Sequence, residues 1–120
     1  MAIAARRIDV IPFLGRVTVE SLDGRVLADT RRALALHEAS YAVVYYVPRA
    51  DAAMDQLERT TRTTHCPYKG DASYFTITGQ PNGVNAIWSY EHPLDDVAII
   101  REHLAFYPDR VRMRVEPESA

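Results

Sequence analysis

Arg16-Val17-Thr18-Val19-Glu20-Ser21-Leu22-Asp23-Gly24-Arg25-Val26-Leu27-Ala28-Asp29 is the stretch that decides the fold class. Residues 16–20 alternate polar and apolar side chains, the two-residue period of a strand with one buried face. Asp23-Gly24 is a strong hairpin signal, because glycine enters the positive-φ region that tight turns require. Arg25 to Asp29 is then the returning strand. A chain patterned this way reads as antiparallel sheet.

Strand signals continue along the chain. Ala33 to His37 is short and apolar, and Ala42 to Val47 is rich in β-branched and aromatic residues. Pro48 ends that strand, since it has no N–H for the ladder. Asp51 is placed to cap a short helix through about Leu57, with Met54 and Leu57 on one face. Ser73 to Thr78 is a further strand, with Phe75 and Ile77 on the face opposite Tyr74 and Thr76. Gly79-Gln80-Pro81-Asn82-Gly83 is turn chemistry, and Val84 to Tyr90 returns with Val84, Ala86, Trp88 and Tyr90 on one face. Pro93 opens a second short helix through about Ile100. Leu104 to Tyr107 and Val111 to Val115 read as a last strand pair joined by Pro108-Asp109. In that pair Val111, Met113 and Val115 face inward and Arg110, Arg112 and Arg114 outward. The expected fold is a compact, mainly β, antiparallel two-sheet domain, a sandwich, barrel or tent, with two short helices. It is expected to occupy residues 1–120 as a single domain with its core at about 16–115.

Composition narrows the function. With 14 basic against 16 acidic residues, the chain lacks the basic excess that general nucleic-acid binding needs. A single cysteine makes no internal disulfide and needs no oxidising compartment. Met1 to Arg7 carries arginines with no apolar segment behind them, unlike a secretory signal. No apolar run approaches the ~18 residues of a membrane span. A soluble, cytoplasmic protein is expected, with no nucleic-acid or membrane partner, and nothing selects an oligomeric state.

The chemistry concentrates in Thr64-His65-Cys66-Pro67-Tyr68-Lys69-Gly70-Asp71-Ala72-Ser73-Tyr74. Proline limits the backbone on one side of the turn and glycine frees it on the other. Cys66 is either a small buried hydrophobe or a nucleophile whose thiolate Lys69 favours. A nucleophile wants a histidine base. Adjacent side chains on an extended backbone point to opposite faces, so His37 and His92 are better candidates than His65. Lys69 and Asp71 form either a surface ion pair or, with Gly70, an anion-binding nest. As a residue of a turn, Lys69 is expected to keep its head near water. Arg32 and Glu38 flank an apolar stretch, either as a structural pair or, for Arg32, as a fork for an anion. Tyr46, Tyr74, Trp88 and Tyr90 supply ring area for packing or for a pocket wall. No C-x-x-C pair and no i,i+4 histidines are present, so no metal is expected, and no cofactor.

Several segments together resemble the DUF427 family of small domains without an established function. They are Val19-Glu20-Ser21, Gly24 to Asp29, Arg32 to Glu38, Tyr46-Val47-Pro48, Leu57-Glu58-Arg59-Thr60, Cys66 to Gly70, Ala72-Ser73-Tyr74, Trp88-Ser89-Tyr90 and Ala105 to Pro108. The resemblance spans roughly residues 16 to 115, and the cysteine motif is its most specific part. The family has also carried a nucleotidyltransferase-like label. That chemistry uses a Gly-Ser turn and spaced acidic metal ligands, whereas Asp95 and Asp96 here are adjacent. The leading expectation is a small-molecule, anion-accepting pocket built by Cys66, Lys69, Tyr74, Trp88 and Arg32, with Glu38, Tyr46, Asp71 and Tyr90 around it. The alternatives are a cysteine-dependent enzyme using Cys66, Lys69 and His37 or His92, and a protein-interaction domain that pairs through a sheet edge.

Overall fold

The computed structural model describes residues 7–118; apart from Arg7, the N-terminal stretch Met1 to Arg7 lies outside them. Ten strands form three antiparallel sheets: β1 (Ile8–Pro12), β2 (Gly15–Glu20), β3 (Val26–Thr30), β4 (Leu34–Glu38), β5 (Val44–Tyr46), β6 (Leu57–Cys66), β7 (Gly70–Ile77), β8 (Ile87–Tyr90), β9 (Leu104–Phe106) and β10 (Arg112–Pro117). The sheet orders are β1-β4-β5, β10-β2-β3 and β6-β7-β8-β9. The mainly β, antiparallel reading holds, with three sheets where two were expected, and none closes into a barrel.

The opening hairpin forms as its sequence dictates. Val17 and Val19 are fully buried, Gly24 adopts φ +90°, and the Ser21 hydroxyl accepts from the Arg25 N–H at 3.0 Å. The four-stranded sheet is apolar on both faces. Phe75, Ile77, Ile87, Leu104 and Phe106 pack with Val17, Val19 and Leu27 in one cluster. On the opposite face Ala72, Tyr74, Tyr90 and Ala105 pack with Leu36, Tyr46, Val97 and Ile100 in a second. β7 and β8 therefore stand between two cores, with Phe75 opposite Ile87 and Tyr74 opposite Trp88. Reciprocal bonds of 2.8 Å between Val47 and Leu104 tie the β5 end of one sheet to β9. The first core is capped by Glu91, which accepts from Arg59 at 2.8 Å, Arg49 at 3.1 Å and Ser73 at 2.8 Å. These bonds, those of Arg59 foremost, hold the Glu91 carboxyl down at about 2. The two guanidinium groups lie 5.1 and 5.4 Å from the Phe75 ring centre.

Four expectations are corrected. The helix through 51–57 is replaced by two 3₁₀ turns, Arg49–Asp51 and Met54–Gln56. Asp51 spends its carboxylate on Thr30 and Arg32, and Ala53 donates to the Leu27 carbonyl at 2.8 Å, so the backbone between the turns serves β3. The second helix is a 3₁₀ segment, Asp95–Ile100, broken at Val97 (φ −125°). The strand over 84–90 begins only at Ile87, because Asn85 sits at φ +52° and Val84 is exposed. Finally, β9 and β10 do not pair. β9 is buried at all three residues and bonds to β8, whereas the alternating β10 needs only one covered face and crosses to β2. Met113 and Val115 are indeed the less exposed residues of β10, and Arg112 and Arg114 the exposed ones.

Phe75→Ala empties a site 4% exposed and removes the ring beneath two guanidiniums. It should destabilise the protein by about 3–5 kcal/mol, read as a lower urea midpoint at unchanged slope. A midpoint that does not move would show that Phe75 does not support this core.

Candidate functional site

The Cys66 turn joins β6 to β7 as a three-residue hairpin loop, Pro67-Tyr68-Lys69, closed by the Lys69 N–H on the Cys66 carbonyl at 3.2 Å. Gly70 follows at φ +114°, and a Cβ there would lie 3.3 Å from the His92 carbonyl oxygen. The dihedral favours glycine, and a Cβ would also crowd the close passage of residues 92–94. The Leu94 N–H donates to the Lys69 carbonyl at 2.9 Å, so the segment after β8 clamps the turn.

The Lys69 side chain folds inward rather than toward water. Its ammonium donates to Glu38 Oε1 at 2.6 Å, with the two side chains 11% and 9% exposed. Cys66 Sγ lies 3.9 Å from the same nitrogen. The chain contains one lysine, one cysteine and one tryptophan against thirteen arginines; all three single residues gather here.

A pocket of about 220 Å³ opens over this ion pair. β4 contributes Leu36 and Glu38, β5 Val44 and Tyr46, β7 Tyr74, and β8 Trp88 and Tyr90, while Tyr107 closes one wall. Trp88 stands edge-on to Tyr46 at 6.4 Å and donates its Nε1–H to the Tyr46 hydroxyl at 3.3 Å. Its ring centre also lies 4.6 Å from that of Tyr107. Burial pushes the Tyr46 and Tyr90 phenols well above their usual range, so both remain neutral donors. Burial also raises Tyr74, but hydrogen bonds from Thr64, Tyr107 and Arg62 outweigh it and the net shift is downward. Tyr107 is 37% exposed, yet partial desolvation, and then its neighbour Tyr74, push its phenol up to about 12.

Of the residues singled out in the sequence, Lys69, Glu38, Tyr46, Tyr74, Trp88 and Tyr90 share this pocket, with Cys66 behind Lys69. The others are placed elsewhere. Arg32 pairs with Asp51 at 3.0 Å, so the suggested Arg32–Glu38 pair is replaced by two separate ones. The Asp71 carboxylate accepts from His65 Nδ1 at 2.7 Å on exposed surface. His37 is exposed between the buried Leu36 and Glu38 of β4, and His92 is exposed on its loop. Among the described residues no histidine hydrogen-bonds to Cys66. Tyr107, Arg62 and Arg110 were not anticipated. Arg62 shares a β6 face with Thr64 and Cys66 at two-residue spacing, a signal available only once β6 is recognised as a strand.

The sequence model of a family described as a domain of unknown function (DUF427) matches residues 9–117. The chain belongs to this family. Among curated proteins none matches it. In this DUF427 domain the Cys-Pro-Tyr-Lys-Gly motif is therefore the hairpin that delivers a buried ammonium to the pocket floor. No three His, Cys, Asp or Glu side chains of the described residues converge as a metal site would require.

Lys69→Met should cost about 3–5 kcal/mol, because it leaves a buried carboxylate without this cation. The double variant Lys69→Met/Glu38→Gln should be more stable than Lys69→Met alone in urea denaturation. Additive losses would contradict the pairing.

Proposed function

We propose that this DUF427 domain is a binding module for a small anionic molecule, held in the pocket beside the Cys66–Gly70 turn. The carrying observation is the Lys69–Glu38 pair, buried at the floor of an aromatic pocket. A buried ion pair is a weak stability device, since desolvation offsets most of the Coulombic gain. An ammonium has three N–H donors. Among the described residues Glu38 takes one and the Cys66 sulfur a long second, which leaves a third to meet a ligand acceptor. Glu38 keeps the nitrogen aimed at the cavity. The tyrosine and tryptophan rings supply apolar walls with donors at their rims, the usual make-up of a small-molecule site. The volume, about 220 Å³, is below the ~300–1,000 Å³ of drug-sized sites, so the occupant of this pocket is small. We assign a cytoplasmic setting, where a lone thiol stays reduced.

A cysteine-dependent reaction is the second reading, favoured by the 3.9 Å approach of Lys69 Nζ to Cys66 Sγ. Binding without chemistry explains more of the site, because the pocket wall is phenols and indole rather than a base for the thiol.

Titration with benzoate and the neutral benzamide tests this reading. Benzoate should produce a saturable change in Trp88 emission, with amide shifts confined to residues 36–38, 69–74 and 88–90, and should bind at least several-fold tighter than benzamide. Cys66→Ser should leave its affinity within a few-fold. Pocket amides unmoved up to ~10 mM benzoate, a concentration that detects even millimolar affinity, would contradict it.

A further inference from the structure

A second cavity, about 390 Å³, lies beside the first and is lined by Arg62, Asn85, Arg110 and Val84 together with Tyr74 and Tyr107. The two phenols are thus a wall common to both cavities. The charges of Arg62 and Arg110 both act on the Tyr107 hydroxyl, and the Arg62 guanidinium lies 5.1 Å from the Tyr74 ring centre. Their pairing differs from that of the arginines tied into close ion pairs. Arg16, Arg25, Arg32, Arg49 and Arg59 each meet a carboxylate at 3.1 Å or less. Arg62 meets none among the described residues, and Arg110 has only Asp109, at 4.0 Å. Arg110 is positioned instead by donating to the Asn82 and Val84 carbonyls at 2.9 and 3.2 Å. The cavity therefore holds two guanidiniums whose charge is largely uncompensated, next to a pocket whose own cation is already paired with Glu38.

We infer that the ligand spans both cavities as a planar aromatic acid, with an acceptor group on Lys69 and a phosphate or carboxylate between Arg62 and Arg110. This rests on the pocket reading above and specifies its ligand class. The planar body lies along Trp88, which lines the first cavity, and Tyr107, which lines both. A guanidinium fork matches the oxygens of a phosphate or carboxylate in a bidentate way that an ammonium does not. The division of labour follows: the lone lysine meets a single acceptor in the narrow pocket, and the arginines take the charged end in the wider one.

Benzoate serves as the one-ended probe. 4-Carboxyphenyl phosphate and its biphenyl homologue are two-ended probes of different length, and terephthalate and biphenyl-4,4′-dicarboxylate are the matching dicarboxylates. At least one two-ended probe should bind about tenfold or more tighter than benzoate, a gain of about 1.4 kcal/mol. Whether the phosphate or the dicarboxylate series gains more identifies the anion. Arg62→Gln, an exposed substitution with no ion pair to lose among the described residues, should remove much of that gain while changing benzoate affinity by no more than a few-fold. Arg62→Gln/Arg110→Lys should remove nearly all of it. Two-ended probes that bind no tighter than benzoate, or a gain that survives both variants, overturn this inference while the benzoate pocket stands. Failure of benzoate itself overturns the pocket reading and this inference with it.

Discussion

Two-sided burial of β7 and β8 is the constraint on which the remaining structure depends. A strand with apolar groups on both faces has no side left for water, so each face must be covered by a different sheet. The β10-β2-β3 hairpin layer covers Phe75, Ile77 and Ile87, and β4 with β5 covers Tyr74 and Tyr90. The two interfaces differ in character. The first is aliphatic and aromatic hydrocarbon, sealed at its edge by Glu91 and two arginines. The second is built from tyrosine and tryptophan, whose bulky rings and polar rims leave a cavity instead of closing on one another.

That contrast explains why the pocket lies where it does. The β6–β7 hairpin ends beside the second core, where Gly70 packs closely on residues 92–94 and the Leu94 N–H holds the Lys69 carbonyl. The ammonium enters the core and meets Glu38, the last residue of β4. Burying this pair has a desolvation cost that apolar side chains of similar volume would avoid. The cost makes physical sense if the pair orients a donor toward a ligand. The single lysine of an arginine-rich chain suits that role, because a compact ammonium fits where a guanidinium fork does not.

Much of this was legible in the sequence because it rests on short-range pattern. The Asp23-Gly24 turn, the alternation at 16–20 and 110–115, and the Phe75/Tyr74 division of faces are all set by the two-residue period. What escaped has physical causes too. β6 reads Leu-Glu-Arg-Thr-Thr-Arg-Thr-Thr-His-Cys; it is an edge strand with mostly solvated side chains, so its threonines mark β propensity without any apolar period. β1 does alternate, with Ile8 and Val10 packed on the second core, yet it is short and ends in a proline. The helix expected after Asp51 failed because Asp51 found long-range partners in place of its own backbone, a tertiary choice invisible locally. At the site, the Cys66 turn and the aromatic set were readable, whereas the partners of Arg32, Asp71 and Lys69 required knowing which sheets meet.

The central claim is that Lys69 presents a buried, Glu38-oriented ammonium to a ligand. Because Lys69 is the only lysine, selective ¹⁵N-lysine labelling yields a single side-chain ammonium signal. The account predicts that this resonance is visible and slowly exchanging near neutral pH, is lost or broadened in Glu38→Gln, and shifts saturably on addition of benzoate. An ammonium that exchanges as fast as an exposed lysine, or one that benzoate leaves unmoved, would contradict it.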